Sequence, residues 1–429
     1  MIGQVLYTML TVVDMFWVGR LGPGPATVAA VALAGSVLGV LYSLGQVFAV
    51  GVLATASRAA GADSKTGVRE SLRHGLVLSV PFSALLAVVG APLAGLILRW
   101  FGAAPEVVVA GRAYLAILLA VLPGFFAGMI LYSGFQALGD TRTPMLISLA
   151  TNVVNLVLDP IMIFGWLGVP RMAAAGAAWA TIISQSGGLV AMAVILHRQG
   201  LLTLRGPVRI GAVKTILKIG GPAGLQAITR PLTGMLMFGI VTRFGTAATA
   251  AFGIGLRLLQ LMYIYLGGLA SAGQTLVGQS LGQRKPELAL QVSRRVLAIA
   301  SLLQLAVMPV LFLAAPLLVR VFNSDSDVVR YGTEYLRVLT PMLVVLGLST
   351  AWDSAQRGAG ATRNPMVAAL VSNWMVKLPA GLLFARAMGL GVIGVWLGIG
   401  LSIVMEAGIL AIGYYRNRWI HNVVEWEGV

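Results

Sequence analysis

Residues 151–165 read TNVVNLVLDPIMIFG, a run of Val, Leu, Ile and Phe that nevertheless carries Asn152, Asn155 and Asp159. Their spacing of i, i+3 and i+7 puts all three on one face of a helix. Two amides and a carboxylate on one face offer oxygen donors to a hard cation such as Na⁺, or a carboxyl group able to take up a proton. Thr181, in a later apolar run, adds a hydroxyl, and Asp14, in an early one, adds a second carboxylate. Two carboxylates crowded in low dielectric cannot both stay ionised cheaply, so one H⁺ or one Na⁺ would neutralise the set. Pro160 lacks an N–H and leaves the carbonyl of Leu156 as a further oxygen donor. The competing reading is a buried polar knot that only fixes helix packing.

The surroundings of these residues decide how costly they are. Of 429 residues, 58% are hydrophobic and 10% charged, and the mean hydropathy is +0.90. Ordinary domains are about 45–50% apolar and about a quarter charged, and no soluble fold of this size hides so much apolar surface. A spanning helix needs about 20 apolar residues. About twelve stretches qualify, near 1–19, 26–57, 74–98, 107–137, 144–164, 172–197, 210–243, 247–279, 292–321, 328–355, 365–386 and 393–415. They are too long for barrel strands and lack the alternation that barrels show. The predicted fold class is an all-α polytopic membrane protein of twelve transmembrane helices.

The formal charge of +16 follows the loops. Arg58, Lys65, Arg69 and Arg73 follow the second span; Arg198, Arg205, Arg209, Lys214 and Lys218 join the sixth and seventh; Arg284, Lys285, Arg294 and Arg295 join the eighth and ninth. These are alternate loops, and such a bias marks the cytoplasmic side. Opposite loops hold mostly single cations, Arg20, Arg171, Arg243 and Arg386. Trp17, Trp100 and Trp166 mark the outer interface and Trp419 the inner one. The expectation is a multi-pass protein of the cell (inner or plasma) membrane with both termini cytoplasmic. Its basic charge serves topology and anionic membrane lipid, with no nucleic-acid partner. Cysteine is absent, which excludes disulfide and thiol chemistry. No charged segment with a cleavable apolar stretch precedes the first span, so no removable leader is expected.

The chain also repeats itself. LGDTRTPM (138–145) returns as AGATRNPM (359–366), VGRLG (18–22) as VTRFG (241–245), and TN (151–152) as SN (372–373). Two halves follow, 1–205 and 206–429, of six spans each, joined by the basic segment from His197 to Lys218. An even number of spans per half makes the repeats parallel, related by a pseudo-two-fold axis along the membrane normal, a plan used by transporters. Counting at 1.5 Å per residue puts Asp14 about 9 Å, Asp159 about 10 Å and Thr181 about 13 Å below the outer surface, with Asn155 about one turn deeper. The second half lacks this set: Met237 stands for Asp14, Val376 for Asn155, and no acid for Asp159. Only 13 residues precede Asp14, against about 28 before Met237 in the seventh span, so either the true start lies upstream, which is the preferred reading, or the first helix is truncated at its inner end.

VDMFWVGRLG (13–22), QALGDTRTPM (136–145), NVVNLVLDPIMIFG (152–165), AAAGAAWATIISQ (173–185) and the echo RGAGATRNPM (357–366) together resemble the multidrug and toxic compound extrusion (MATE) transporters over nearly the whole chain. The resemblance implies two six-helix lobes forming a V and export of organic cations driven by Na⁺ or H⁺. It also implies that Asp14 is the coupling carboxylate, with Asn155 and Asp159 of the fifth helix and Thr181 of the sixth beside it. It does not choose the ion.

Further charges lie inside spans. Lys377 and Glu406 both sit about 15 Å from the inner surface, and a salt bridge between them is preferred to a second ion or substrate site. Asp353 and Arg357, four residues apart, read as an interfacial ion pair. Arg230, beside Pro231, has no partner evident in the sequence. GLGVIG (389–394) joins two spans and follows no strand, so it is a turn and not a dinucleotide fingerprint. The functional expectation is a secondary antiporter that exports lipophilic, cationic small molecules in exchange for H⁺ or Na⁺. It needs no cofactor beyond that ion and acts as a monomer. Rivals are a lipid-linked oligosaccharide flippase of related fold and an intramembrane enzyme. The enzyme is weakened by the lack of HExxH and GxSxG and by only three histidines, all near helix ends.

Overall fold

A computed structural model describes residues 24–172 and 174–421. The first expected span, with Asp14, the VDMFWVGRLG motif and its expected short inner end, lies outside the described residues. Eleven of the twelve expected stretches coincide with described helices: α1 Gly24–Gly61, α2 Lys65–Gly90 with the short α3 Ala94–Trp100, α4 Pro105–Ala120 with α5 Leu122–Ala137, α6 Arg142–Phe164, α7 Ala174–Arg198, α8 Ile210–Val241, α9 Thr246–Gly282, α10 Pro286–Arg320, α11 Ser326–Leu339 with α12 Met342–Gly358, α13 Arg363–Leu370 continuing through α14 Leu378–Leu382, and α15 Gly391–Tyr415. No strand occurs among the described residues.

Eight of these helical stretches are each long and apolar enough to cross a membrane, and two bent pairs, α4–α5 and α11–α12, add two more. Helix α8, with 32 residues, is about 48 Å long; Gln226 and Arg230 dilute its apolar character. The third expected span, 74–98, is interrupted. Helix α2 ends at Gly90 and α3 restarts at Ala94, around Pro92, which has no N–H to continue the ladder.

The repeat is built into the helix boundaries. Helices α1 and α9 start 222 residues apart, whereas α2 and α10, α4 and α11, and α6 and α13 each start 221 apart. The two bends, 48° and 49°, fall at corresponding breaks. The motif LGDTRTPM shows why it recurs. Gly139, at φ 79°, closes α5, and Asp140 Oδ1 accepts from the backbone N–H groups of Arg142 and Thr143 at 3.1 and 3.0 Å, which starts α6. Pro144 falls in the first turn, where no donor is needed. In the second copy Ala361 has no carboxylate. There the Asn364 amide donates to Gln356 Oε1 at 2.8 Å and to the Ile409 carbonyl at 3.3 Å. One difference is larger: α6 is a continuous α-helix, whereas its counterpart passes into π-helix at Val371–Lys377 and Leu383–Ala387.

The chain divides into two compact units, one running to Leu217 and the other from Lys218, so the division falls inside α8 and not at the expected 205/206 step. The reason is local. Arg73 donates to the carbonyls of Arg205 (3.1 Å) and Pro207 (2.6 Å). The Arg209 N–H donates to His74 Nε2 at 3.0 Å, and its guanidinium pairs with Glu70 at 3.3 Å. The linker is thereby fastened to the first unit. That unit is centred on Leu72, Leu115, Phe126, Ile130 and Phe135 of α2, α4 and α5. The second is centred on Trp396 of α15, stacked on Phe252 at 5.4 Å and edge-on to Tyr335 at 4.8 Å.

Candidate ion and substrate sites

Helix α6 is inside out by the standards of a soluble protein. Val153, Leu156 and Val157 are 53%, 46% and 55% exposed, while Asn155 and Asp159 are 1% and 0% exposed. A helix in water would turn the opposite faces outward. Hydrocarbon around the helix accounts for the inversion, and it makes the buried carboxylate costly unless it is partnered or neutralised.

Two glycines set how close the partner helix comes. Gly176 of α7 packs on the Met162 backbone of α6, where an added Cβ would stand 2.5 Å from the carbonyl oxygen. At Gly188 a Cβ would stand 2.6 Å from Thr151 Cγ2. This approach brings Thr181 of α7 beside Asn155 and Asp159. Asn155 Nδ2 donates to Asp159 Oδ1 at 3.3 Å and to Thr181 Oγ1 at 3.5 Å; Thr181 Oγ1 donates to the Ala177 carbonyl at 3.0 Å. Among the described residues nothing donates to the buried Asn155 Oδ1, a state that costs about 1–3 kcal/mol when nothing satisfies it. Asn152, three residues before Asn155, is half-buried. Among the described residues no group of three or more His, Asp or Glu could hold a metal ion. The donors here are an amide, a hydroxyl and one described carboxylate, a set suited to a proton or a monovalent hard cation and not to a tightly held divalent metal.

The profile of the MatE family matches residues 1–161 and 222–383, two segments that start at the repeat offset and together cover most of the chain. The chain belongs to the MATE family. It is accordingly a multi-pass membrane transporter and not an enzyme. A probable multidrug resistance protein NorM of Thermotoga maritima is 28% identical over 375 residues, 86% of this chain and 80% of the relative. An FAD transporter of Shewanella oneidensis is 26% identical over 366 residues, 83% and 80% of the respective lengths. The crystal structure of a MATE protein in its bent conformation shares the fold, with a TM-score of 0.89 at 24% identity over 97% of this chain and 92% of the other.

In this MATE protein the second unit holds a polar cluster of its own. Arg230 of α8 pairs with Glu406 of α15 at 2.7 Å, which supplies the partner the sequence did not reveal and replaces the expected Lys377–Glu406 bridge. Glu406 Oε2 accepts from Ser372 Oγ at 3.4 Å, and Asn373 Nδ2 donates to that hydroxyl at 3.2 Å. Lys377 Nζ donates to Asn373 Oδ1 at 3.4 Å. Asp353 and Arg357 form the expected pair at 3.0 Å, extended by Gln226, whose amide donates to Asp353 Oδ1 at 3.1 Å and whose oxygen accepts from Arg357 at 2.7 Å. Gln226, Ser372 and Asn373 were not singled out from sequence. For the last two the TN/SN repeat was the available signal.

Proposed function

We propose that this MATE protein is a secondary multidrug antiporter that exports lipophilic organic cations in exchange for H⁺ or Na⁺ bound in its first unit. The observation that carries the reading is the buried Asn155–Asp159–Thr181 contact in helices whose outer faces are apolar. A proton on Asp159, or a Na⁺ among these oxygens, neutralises a carboxylate buried at membrane depth and gives Asn155 Oδ1 a partner. Asp14 is the further carboxylate in this proposal. The multidrug name borne by the Thermotoga relative supports the cargo class. The Lys and Arg bias of alternate loops supports a cell-membrane protein with both termini in the cytoplasm, and a single chain is taken as the transport unit.

A driving ion moves the cycle only by its differential affinity for two conformations. Asp159→Asn keeps the shape and the Oδ1 acceptor but removes the ionisable group. In proteoliposomes, wild-type protein should move a fluorescent organic cation against an imposed pH gradient or an imposed Na⁺ gradient, which identifies the ion. Asp159→Asn should bind the same cation and move it down its own gradient only. Undiminished gradient-driven uptake by that variant rejects the assignment.

A further inference from the structure

Arg230, Lys377 and Glu406 lie on three different helical stretches, each nine or more residues from either end of its stretch. At 1.5 Å per residue that is about 14 Å or more from any helix end, within the hydrocarbon layer. Two cations and one anion leave a surplus positive charge at this depth. The nearby Asp353–Arg357 pair is neutral as a whole and does not cancel it.

The hydrogen bonds show where the surplus sits. Glu406 is spent on Arg230 and Ser372. Lys377 has three N–H donors and one long bond to Asn373 Oδ1, an oxygen that already accepts from Thr233 Oγ1 at 3.3 Å. Arg230 has five donors and places one on Glu406, while its side chain stays 44% exposed. Hydrogen bonds run from Arg230 through Glu406, Ser372 and Asn373 to Lys377, so the three charges form one cluster. The segment bearing Ser372, Asn373 and Lys377 is π-helical, a distortion common at functional sites; its counterpart in α6 is ordinary α-helix.

An exposed guanidinium and an under-bonded ammonium are not tolerated against lipid tails, so their free donors face an aqueous space that a solute can enter. A lipid headgroup does not sit at this depth. We infer that Arg230 and Lys377 form a receptor for an anionic oxygen group on the transported molecule, so that the favoured cargo is a lipophilic organic cation that also bears a carboxylate. Glu406 and Ser372 hold Arg230 in place, and Asn373 holds Lys377. This deepens the antiporter reading and rests on its cargo being an organic cation.

Rhodamine B and its ethyl ester test it, since they share one cationic ring system and differ only in the free carboxylate. Fluorescence anisotropy with the purified full chain in lipid nanodiscs should show the acid binding about ten-fold or more tighter than the ester, the worth of one charge-assisted hydrogen bond. Lys377→Met should erase that preference, and Lys377→Arg should keep it. An acid that binds no better than the ester, or a preference that survives Lys377→Met, overturns the receptor. Failure of wild-type protein to bind either dye overturns it together with the cationic cargo, whereas ester binding without acid preference overturns the receptor alone.

Discussion

Gly176→Ala tests whether one backbone contact sets the geometry of the first-unit cluster. The added methyl would stand 2.5 Å from the Met162 carbonyl oxygen, 2.6 Å from its carbon and 2.8 Å from the Ile163 nitrogen, where ordinary contact begins at 3.4 Å. The shortfall is about 0.9 Å on backbone atoms, so no side-chain rotamer relieves it and α7 must shift away from α6 or deform. The Asn155–Thr181 hydrogen bond, at 3.5 Å, has no slack, and a shift of that size breaks it. Overpacking of this kind costs about 1–3 kcal/mol, or roughly 2–4 °C in unfolding midpoint per kcal/mol for a unit of about 200 residues. Gly187 lies on the same helix with nothing within 4 Å of an added Cβ. Gly187→Ala therefore gains helix propensity of about 1 kcal/mol or less with no clash. Thermal unfolding of the purified proteins, followed by tryptophan fluorescence, should give the order Gly187→Ala at or above wild type and Gly176→Ala several degrees below. Gradient-driven uptake should be lost only in Gly176→Ala. Equal midpoints for the two variants, or intact uptake in Gly176→Ala, would refute the link between helix spacing and site geometry.

Glu406→Gln should lower the unfolding midpoint, because it strands Arg230 without its carboxylate. A fully buried pair broken in this way loses about 3–5 kcal/mol, and the 44% exposure of Arg230 reduces that to about 1–3 kcal/mol. Adding Arg230→Met should restore most of the loss, and a double variant no more stable than the single one contradicts the pairing. Trp396→Ala should cost about 3–5 kcal/mol, since the ring is fully enclosed between Phe252 and Tyr335. Trp396→Phe should cost far less, because it keeps the aromatic contacts and deletes a buried N–H that has no acceptor; similar midpoints for the two variants would show that the stack contributes little.

Spans were legible because hydrophobic length is a local property, and the repeat was legible because two copies share one start motif. Asn155, Asp159 and Thr181 stood out since polar side chains inside apolar runs need partners whatever the tertiary structure. The Arg230–Glu406 pair did not, because its members are 176 residues apart and nothing local links them. Lys377, nearer in sequence and at similar depth, was the natural but incorrect choice of partner. The fastening of the linker was not legible for the same reason: Glu70, Arg73 and His74 claim it from more than a hundred residues away. The break before α3 could have been read from Pro92 alone.

Four pairs of helices in the two units start at the repeat offset to within one residue, yet the polar interiors of the units carry opposite signs, a division that suits the proposed antiport. In the proposed antiport, a carboxylate such as Asp159 would lose its charge to H⁺ or Na⁺, so the field in the first unit would change within a cycle. A guanidinium such as Arg230 stays charged at any physiological pH, so the field in the second unit is comparatively fixed. Coupling requires a group whose state depends on the ion, while recognition of a carboxylate-bearing cargo requires one that stays charged. Coupling free energy is reciprocal: if ion binding at the Asp159 cluster weakens cargo binding, the cargo must weaken ion binding by the same factor. Titrating rhodamine B against protein held at high and low concentrations of the driving ion should therefore give shifts that match in both directions. A rhodamine B affinity that is the same at high and low ion would show that the two clusters do not belong to one transport cycle.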